Sequence, residues 1–293
     1  MQLDPSSLSK YGRLTLVARN LVEGFLTGVH KSPFKGASVE FAEHRQYYPG
    51  DEIRHIDWRA VAKTDRYYIK EYEEETNLRA TLLVDASGSM AYAGRHRSKF
   101  QFAQYIAAAL AYLMLHQRDA VGLALHDTQL RTVLKPRATS KQLLQILTTL
   151  ERAQPNGETA LAPLWHQTAQ QLRQRSLVVL LSDCFGQIPD LLRALQHLRH
   201  RKHEVMLFHL LAPEERTFPF THMTQFRSLE NPQQRRLVDP HRLRQDYLAN
   251  FERFCAELRE ACSKTQVDYH LLTTDQPVER ALGLYLSRRQ RQR

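Results

Sequence analysis

The sequence predicts an α/β protein built on a doubly wound, mostly parallel β-sheet with an antiparallel edge strand. Short apolar runs alternate with segments of helical periodicity over about 200 residues. Such alternation is typical of parallel strands joined by helices that cover both faces of the sheet. A four-residue polar turn, HDTQ at 126–129, separates two of the runs. Because this turn is too short for a crossover helix, it predicts an antiparallel hairpin at the sheet edge.

The expected elements follow from the period of the apolar residues in each segment. A first helix over 8–28 precedes an irregular segment, 29–77, which is rich in Gly, Pro and Tyr and contains a YPGD turn. Residues 212–238, with several Pro, Arg and aromatic residues, are expected to form a long excursion. Strands are predicted at 78–84, 120–125, 130–134, 177–181, 205–211 and 267–272. Helices are predicted at 98–116, 140–150, 160–174, 189–201, 241–262 and 277–286.

The chain is therefore expected to have three parts. Residues 1–77 form the N-terminal helix and an irregular β-containing module with little core of its own, and residues 78–275 form the sheet domain. Residues 276–293 form a closing helix and a basic tail, SRRQRQR, which is expected to be disordered. With 293 residues, 42% of them hydrophobic, the chain has enough apolar side chains for a sizeable core.

Cysteine usage and the chain ends favour a cytoplasmic protein. The three cysteines form no C-x-x-C pair and no secreted-type framework. The opening MQLDPSSLSK lacks the basic and apolar regions of a signal peptide. The longest apolar run, residues 102–115, is shorter than the roughly 20 residues that span a bilayer.

The chain is basic, with a formal net charge of +10 and a pI of about 9.6. This balance favours acidic partners, nucleic acid or anionic lipid. No helix-turn-helix, zinc-finger or ribonucleoprotein motif accompanies the charge, so a basic nucleic-acid-binding protein is kept as an alternative.

Short oxygen-bearing side chains follow three of the predicted elements. Asp85, Ser87 and Ser89 end the run LLVDASGSM, Thr159 lies in the loop NGET, and Asp183 follows the strand 177–181. In open parallel sheets, ligands bind at the carboxyl ends of the strands. Two carboxylates and three hydroxyls there match the oxygen ligands of Mg²⁺ or another divalent cation such as Mn²⁺. The alternative is a capped strand-to-helix turn, since Asp, Ser and Gly also favour such positions.

DASGSM after an apolar strand resembles the D-x-S-x-S motif of the von Willebrand factor A fold. That family's metal-ion-dependent adhesion site adds a threonine and a later aspartate, which Thr159 and Asp183 match in type and order. The resemblance covers about residues 78–275. It implies that Ser87, Ser89 and Thr159 give hydroxyls to Mg²⁺, with Asp85 and Asp183 ligating directly or through water.

The module before the sheet domain resembles the bacterial DUF58 family of proteins of unknown function. The matching features are YYPGD, IRHIDWRAVAKT and an acidic run before the first strand of the sheet. The resemblance implies a MoxR-type AAA+ ATPase as partner, in chaperone-like maturation or metal insertion acting on a client protein. Within IRHIDWRAVAKT, four residues either anchor the module or bind a partner: Arg54, Asp57, Trp58 and Arg59.

The chain is expected not to be an enzyme. A haloacid-dehalogenase-like phosphohydrolase, the main alternative, needs a second aspartate as general acid where this chain has Ser87. The sequence has no G-x-S-x-G elbow, Walker phosphate loop or dinucleotide-binding loop. The expected function is a metal-dependent adaptor that docks a partner's carboxylate on the cation.

The segment HLRHRKH at 197–203 is predicted to be a solvated helix end, and Cys184 is predicted to be a buried, inert thiol.

Overall fold

A computed structural model describes residues 13–30, 44–46, 68–70, 78–231 and 233–291. Contacts within the chain divide it into two units, residues 1–28 with 78–293 and residues 29–77. In the second unit, β1 (His44–Gln46) and β2 (Tyr68–Lys70) form an antiparallel pair.

The larger unit is built on a six-stranded sheet of order β10-β7-β6-β3-β4-β5. All its strands run parallel except β5, which pairs antiparallel with β4. The predicted mostly parallel sheet with an antiparallel edge strand is therefore confirmed. The strands of this sheet are β3 (Arg79–Asp85), β4 (Ala120–His126), β5 (Leu130–Arg137), β6 (Leu177–Ser182), β7 (Glu204–Leu211) and β10 (Asp268–Thr273).

Helices cover both faces of this sheet, as the doubly wound pattern predicts. One apolar cluster joins α1, α2, α3 and α8 to one face, and a second joins α4, α5 and α7 to the other. The helices are α1 (Arg13–His30), α2 (Lys99–His116), α3 (Ser140–Arg152), α4 (Leu161–Gln171), α5 (Ile188–His200), α6 (Pro213–Thr217), α7 (Pro240–Lys264) and α8 (Glu279–Arg291). Among the described residues, no helix is long and apolar enough to cross a membrane.

The first helix shares the core of the sheet unit. Leu14, Ala18 and Val22 recur every four residues, so they lie on one helical face, and all three are buried in the cluster that includes α2. The sequence predicts that this helix belongs with the irregular module, because the two are adjacent in the chain. Adjacency in the chain gives no information about the long-range packing of α1.

Residues 212–238 contain more regular secondary structure than the long excursion that the sequence predicts. It contains the short helix α6 and an antiparallel hairpin, β8 (Thr224–Arg227) with β9 (Arg235–Val238). Aromatic side chains hold this segment together and fix it to α7. Phe218 contacts the rings of Phe220, Phe226 and Tyr247, with ring centroids 4.7–5.8 Å apart.

The expectation of a disordered basic tail is wrong through residue 291, because α8 continues to that point. Arg288 forms ion pairs with Glu204 and Asp268, at 2.9 and 2.7 Å, and Arg289 pairs with the buried Asp119. These acidic partners come from distant parts of the chain. The tail is therefore helical because specific carboxylates neutralise its arginines.

Candidate metal centre

The three predicted site segments meet at the carboxyl ends of the parallel strands. Strand β3 ends at Asp85, next to the end of β6. The loop after α3 is tied to the motif by two backbone hydrogen bonds. The amide of Gly88 donates to the carbonyl of Gly157 at 2.8 Å, and the amide of Asn156 donates to the carbonyl of Ala86 at 2.9 Å.

Asp85 is fully buried and both its carboxylate oxygens accept hydrogen bonds. Oδ1 accepts from the amide of Ser87 at 2.9 Å, and Oδ2 accepts from the hydroxyl of Ser182 at 2.6 Å. Burial raises the pKa of Asp85 to about 7, and the nearby charge of Asp183 adds to the rise. These two effects outweigh the hydrogen bonds, which lower the pKa, so a cation beside Asp85 would relieve an electrostatic cost.

Two hydroxyl groups stand next to this carboxylate. The Oγ atoms of Ser87 and Ser89 are 3.1 Å apart, and Ser87 is fully buried. Ligand atoms at right angles on Mg²⁺, each about 2.0–2.1 Å from the ion, lie about 3 Å from one another. The spacing of the two hydroxyls therefore fits neighbouring positions on one octahedral cation.

The negative charge of Asp183 is neutralised by the side chain of Lys99. The Nζ atom of Lys99, at the start of α2, lies 2.8 Å from Oδ2 of Asp183 and 2.7 Å from Oε1 of Glu215. The side chain of Lys99 is 1% exposed and that of Asp183 is fully buried. Burial by itself lowers the pKa of Lys99, but the two carboxylates outweigh it and raise the pKa.

Thr159 faces a carboxylate from the 212–238 segment. Its hydroxyl donates to Oε1 of Glu230 at 2.5 Å. The carbonyl of Leu229, the preceding residue, lies so close to Gly88 that a Cβ there would approach it to 2.4 Å. The loop between β8 and β9 therefore lies against the D-x-S-x-S motif.

A groove of about 570 Å³ opens beside the site. Its lining combines polar residues of the site with aromatic rings from β8, from α7 and from the loops that follow β6 and α6. Its lining includes Ser89, Lys99, Glu230, Phe185, Phe218, Phe220, Phe226 and Tyr247.

Sequence reasoning missed three side chains of this site. Ser182 is not among the residues predicted from the sequence, although its hydroxyl bonds to Asp85. Lys99 is the only Lys, Arg, Asp or Glu within the apolar helix α2, which is a signal that could have pointed to a buried ion pair. Glu230 lies in a segment without periodicity, and nothing in the sequence connects it to Thr159.

Other candidates from the sequence lie elsewhere. Arg54, Asp57, Trp58 and Arg59 fall outside the described residues. In the part of the chain that the structure describes, no group of three or more His, Cys, Asp or Glu side chains could hold a metal ion. The candidate centre differs from such clusters because it combines two carboxylates with hydroxyl groups.

Neither Cys184 nor the histidines near the end of α5 belong to a metal-holding group within the described part of the chain. At the end of α5, Nδ1 of His197 lies 2.9 Å from Nδ1 of His166 in α4, and His203 is buried, so this end is only partly solvated. Cys184 is fully buried and burial raises the pKa of its thiol well above the ordinary value, which keeps the thiol protonated.

Comparisons with known sequences identify a family and several relatives of this chain. A family model described as "Protein of unknown function DUF58" matches residues 43–256. Uncharacterized proteins of Mycobacterium tuberculosis (Rv1480) and Mycobacterium bovis (Mb1516) are each 27% identical over 220 residues, which is 74% of this chain and 68% of theirs.

Among solved structures, an aerotolerance-related membrane protein from Bacteroides fragilis is similar, with a TM-score of 0.52 and 15% identity over 71% of this chain and 97% of that chain. The conserved hypothetical protein BatB from Bacteroides thetaiotaomicron has a TM-score of 0.50 and 14% identity over 72% of this chain and 98% of that one. At such identities the likeness shows the fold alone. The likeness to these structures, the strand order and the antiparallel edge strand together show a von Willebrand factor A-like fold.

Proposed function

This chain belongs to the DUF58 family, and from that premise we propose that it is a protein-binding adaptor whose docking site is a divalent cation. The cation is Mg²⁺, or Mn²⁺ in its place. In this proposal Ser87, Ser89 and Thr159 provide hydroxyl ligands, and Asp85 and Asp183 act directly or through water. The cation supplies a positive charge that attracts a carboxylate of a partner protein.

The observation that carries the proposal is the pair of hydroxyls beside a buried carboxylate. The Oγ atoms of Ser87 and Ser89 are separated by the distance expected for adjacent ligands of one small cation. Both belong to the turn that Asp85 organises by accepting the amide of Ser87. A helix-capping role explains these residues less well, because the short 3₁₀ turn that follows Ser87 has no side-chain cap.

The contacts of the residues around the proposed cation support a role for each of them. Ser182 holds the Asp85 carboxylate through Oδ2. Lys99 neutralises Asp183, which favours a role for Asp183 through water rather than as a direct anionic ligand. A site with hydroxyls and few free carboxylates leaves the cation short of negative charge. A partner's Asp or Glu then completes its shell.

The family resemblance supplies the finer parts of the proposal, a MoxR-type AAA+ ATPase as partner and a client protein that the ATPase acts on in chaperone-like maturation or metal insertion. The proposed cytoplasmic location follows from the cysteine usage. Arg54, Asp57, Trp58 and Arg59 are proposed either to anchor the module or to contact that partner. No ATPase or hydrolase activity is assigned to the chain itself.

Cation binding is tested by titrating the full chain with Mg²⁺ and following heat exchange and thermal unfolding. We expect binding that Asp85→Ala and the double variant Ser87→Ala/Ser89→Ala abolish. The matched control is Ser287→Ala, on an exposed position of α8. A titration that is identical in wild type and Asp85→Ala would remove the metal from the proposal.

Partner docking is tested with a purified MoxR-type ATPase from the same organism. We expect binding in Mg²⁺ that is lost in EDTA and in the Asp85→Ala variant. Binding that neither treatment changes would show that any docking is independent of the cation.

The phosphohydrolase alternative has less support from the site. Asp85, which would be its nucleophile, is fully buried with both oxygens hydrogen-bonded. A screen of phosphate esters decides the point, because turnover that disappears in Asp85→Asn would favour the enzyme. The nucleic-acid alternative predicts binding to arbitrary strands that weakens steeply with salt.

A further inference from the structure

Glu230 carries a carboxylate to the candidate cation site from within the same chain. Its Oε1 atom accepts a 2.5 Å hydrogen bond from the hydroxyl of Thr159, one of the proposed ligands. A partner's carboxylate would need to enter the same neighbourhood. The position of Glu230 therefore raises the question of what it does when a cation is bound.

The loop that presents Glu230 is fixed in place. The amide of Asn231 donates to Oγ of Ser228 at 3.0 Å, and the amide of Gln234 donates to the carbonyl of Asn231 at 3.0 Å. The contact between the Leu229 carbonyl and Gly88 leaves no room for a side chain at residue 88. Hydrogen bonds within the loop thus fix its turn, and the Leu229 carbonyl brings that turn, with Glu230, against the motif.

The charges around the site leave room for a divalent cation. Five carboxylates lie at the site or line the groove beside it, those of Asp85, Asp183, Glu214, Glu215 and Glu230. Among the described residues, Lys99 is the one base that forms ion pairs with any of them, and it contacts Asp183 and Glu215. Glu230 is half-buried and bonds to a hydroxyl group rather than to a base.

From these contacts we infer that Glu230 is itself a ligand of the cation, an internal carboxylate that completes the coordination shell until a partner's carboxylate replaces it. This inference rests on the proposed function, because it needs a cation at the same site. It adds a sixth side chain to the five predicted ligands. Because no three acidic side chains among the described residues form a group that could hold a metal ion, Asp85 and Asp183 then act through water. Partner binding then becomes an exchange of one carboxylate for another, and the free protein has a closed site.

The test uses Mn²⁺ alone as the probe and the full chain in three variants. Glu230→Ala removes the carboxylate and leaves no side-chain oxygen that could coordinate the ion in its place. Glu158→Ala is the matched control, an exposed acid next to Thr159 in the chain. Asp85→Ala reports on the cation site as a whole. Circular dichroism and the unfolding midpoint check that each variant is folded.

The deciding measurement is the relaxation rate of water protons at saturating Mn²⁺. If Glu230 occupies a coordination position, Glu230→Ala admits one more water, so the relaxation rate rises, whereas Glu158→Ala leaves it unchanged. Removing the ligand is also expected to weaken Mn²⁺ affinity by about tenfold or more.

The two proposals fail in different ways. If Mn²⁺ binds to wild type and not to Asp85→Ala, yet Glu230→Ala has the relaxation rate of the control, the cation site stands and the role of Glu230 is refuted. Weaker affinity without a higher relaxation rate also refutes direct coordination. If wild type and Asp85→Ala bind Mn²⁺ equally or not at all, the proposed function itself fails.

Discussion

The ammonium group of Lys99 lies 2.8 Å from Oδ2 of Asp183, and both side chains are buried at the carboxyl edge of the sheet. The same ammonium group reaches Glu215 at 2.7 Å. A buried charge of this kind is tolerated only when its partners satisfy it. Lys99 thus connects the start of α2 to the end of β6 and to α6, around the candidate cation site.

Replacing Lys99 by Met should strongly destabilise the protein. The variant leaves two poorly solvated carboxylates without their base, which typically costs about 3–5 kcal/mol of unfolding free energy. Urea unfolding at neutral pH measures the loss. The control is Lys264→Met, which breaks an exposed pair with Glu260 and should have little effect on stability, because water screens both charges. Equal, small losses in both variants would contradict a structural role for the buried ion pair.

Alanine at Gly88 should be unfavourable because two backbone atoms occupy the space. Its Cβ would approach the carbonyl oxygen of Leu229 to 2.4 Å and that of Gly157 to 3.0 Å. We expect Gly88→Ala to destabilise the fold by about 1–3 kcal/mol, as measured by chemical denaturation.

Gly24 in α1 is the matched control for that substitution. Among the described residues, no atom outside the backbone of α1 lies within 4 Å of a Cβ at Gly24, so alanine there should stabilise the protein by about 0.5–1 kcal/mol through helix propensity. Opposite signs for the two glycines are the expected result. If Gly88→Ala is as stable as wild type, the loop that carries Glu230 does not pack against the motif.

The buried His126 should make stability depend on pH. Its ring nitrogens have no hydrogen-bond partner among the described residues, and burial lowers its pKa to about 4. The unfolded chain, with a histidine pKa of about 6.5, takes up the proton first as the pH falls. Burial of the neutral His126 ring therefore leaves the free energy of unfolding at its full value above about pH 6.5. That free energy then falls progressively as the pH drops from about 6.5 to about 4.

The variant His126→Phe isolates this effect from the other titrating groups. From pH 7 to pH 4 its unfolding free energy should rise relative to wild type by about 3 kcal/mol, the equivalent of the pKa shift. Urea unfolding at several pH values gives the difference. His96→Phe, at an exposed position, should keep the pH dependence of wild type. A constant gap between His126→Phe and wild type would mean that His126 titrates normally.

Arg289 should stabilise the end of the chain. It pairs with Asp119, which is 1% exposed, and also bonds to Gln117 at 2.6 Å. Because Arg289 keeps some contact with water, Arg289→Met is expected to cost about 2 kcal/mol in thermal or urea unfolding. The exposed pair of Arg193 with Asp190 gives the comparison, and Arg193→Met should cost under about 1 kcal/mol.

Most strands and helices follow from local patterns in the sequence. The strand that ends at Asp85 and the apolar helix 99–116 lie within one residue of their predicted limits. Such elements are predictable because the period of apolar residues reflects which face of each element is buried. The hairpin in 212–238 was not predicted, because its aromatic contacts join residues with no regular spacing.

The sequence by itself determined the α/β class, the antiparallel edge strand and the D-x-S-x-S turn at the end of a central strand. These depend on short-range periodicity and turn chemistry. Only the tertiary structure decided that Lys99 neutralises Asp183, that Ser182 holds Asp85 and that Glu230 reaches Thr159. Such pairs join residues that are 71 to 97 positions apart. Their contacts depend on how whole elements pack, which no local pattern records.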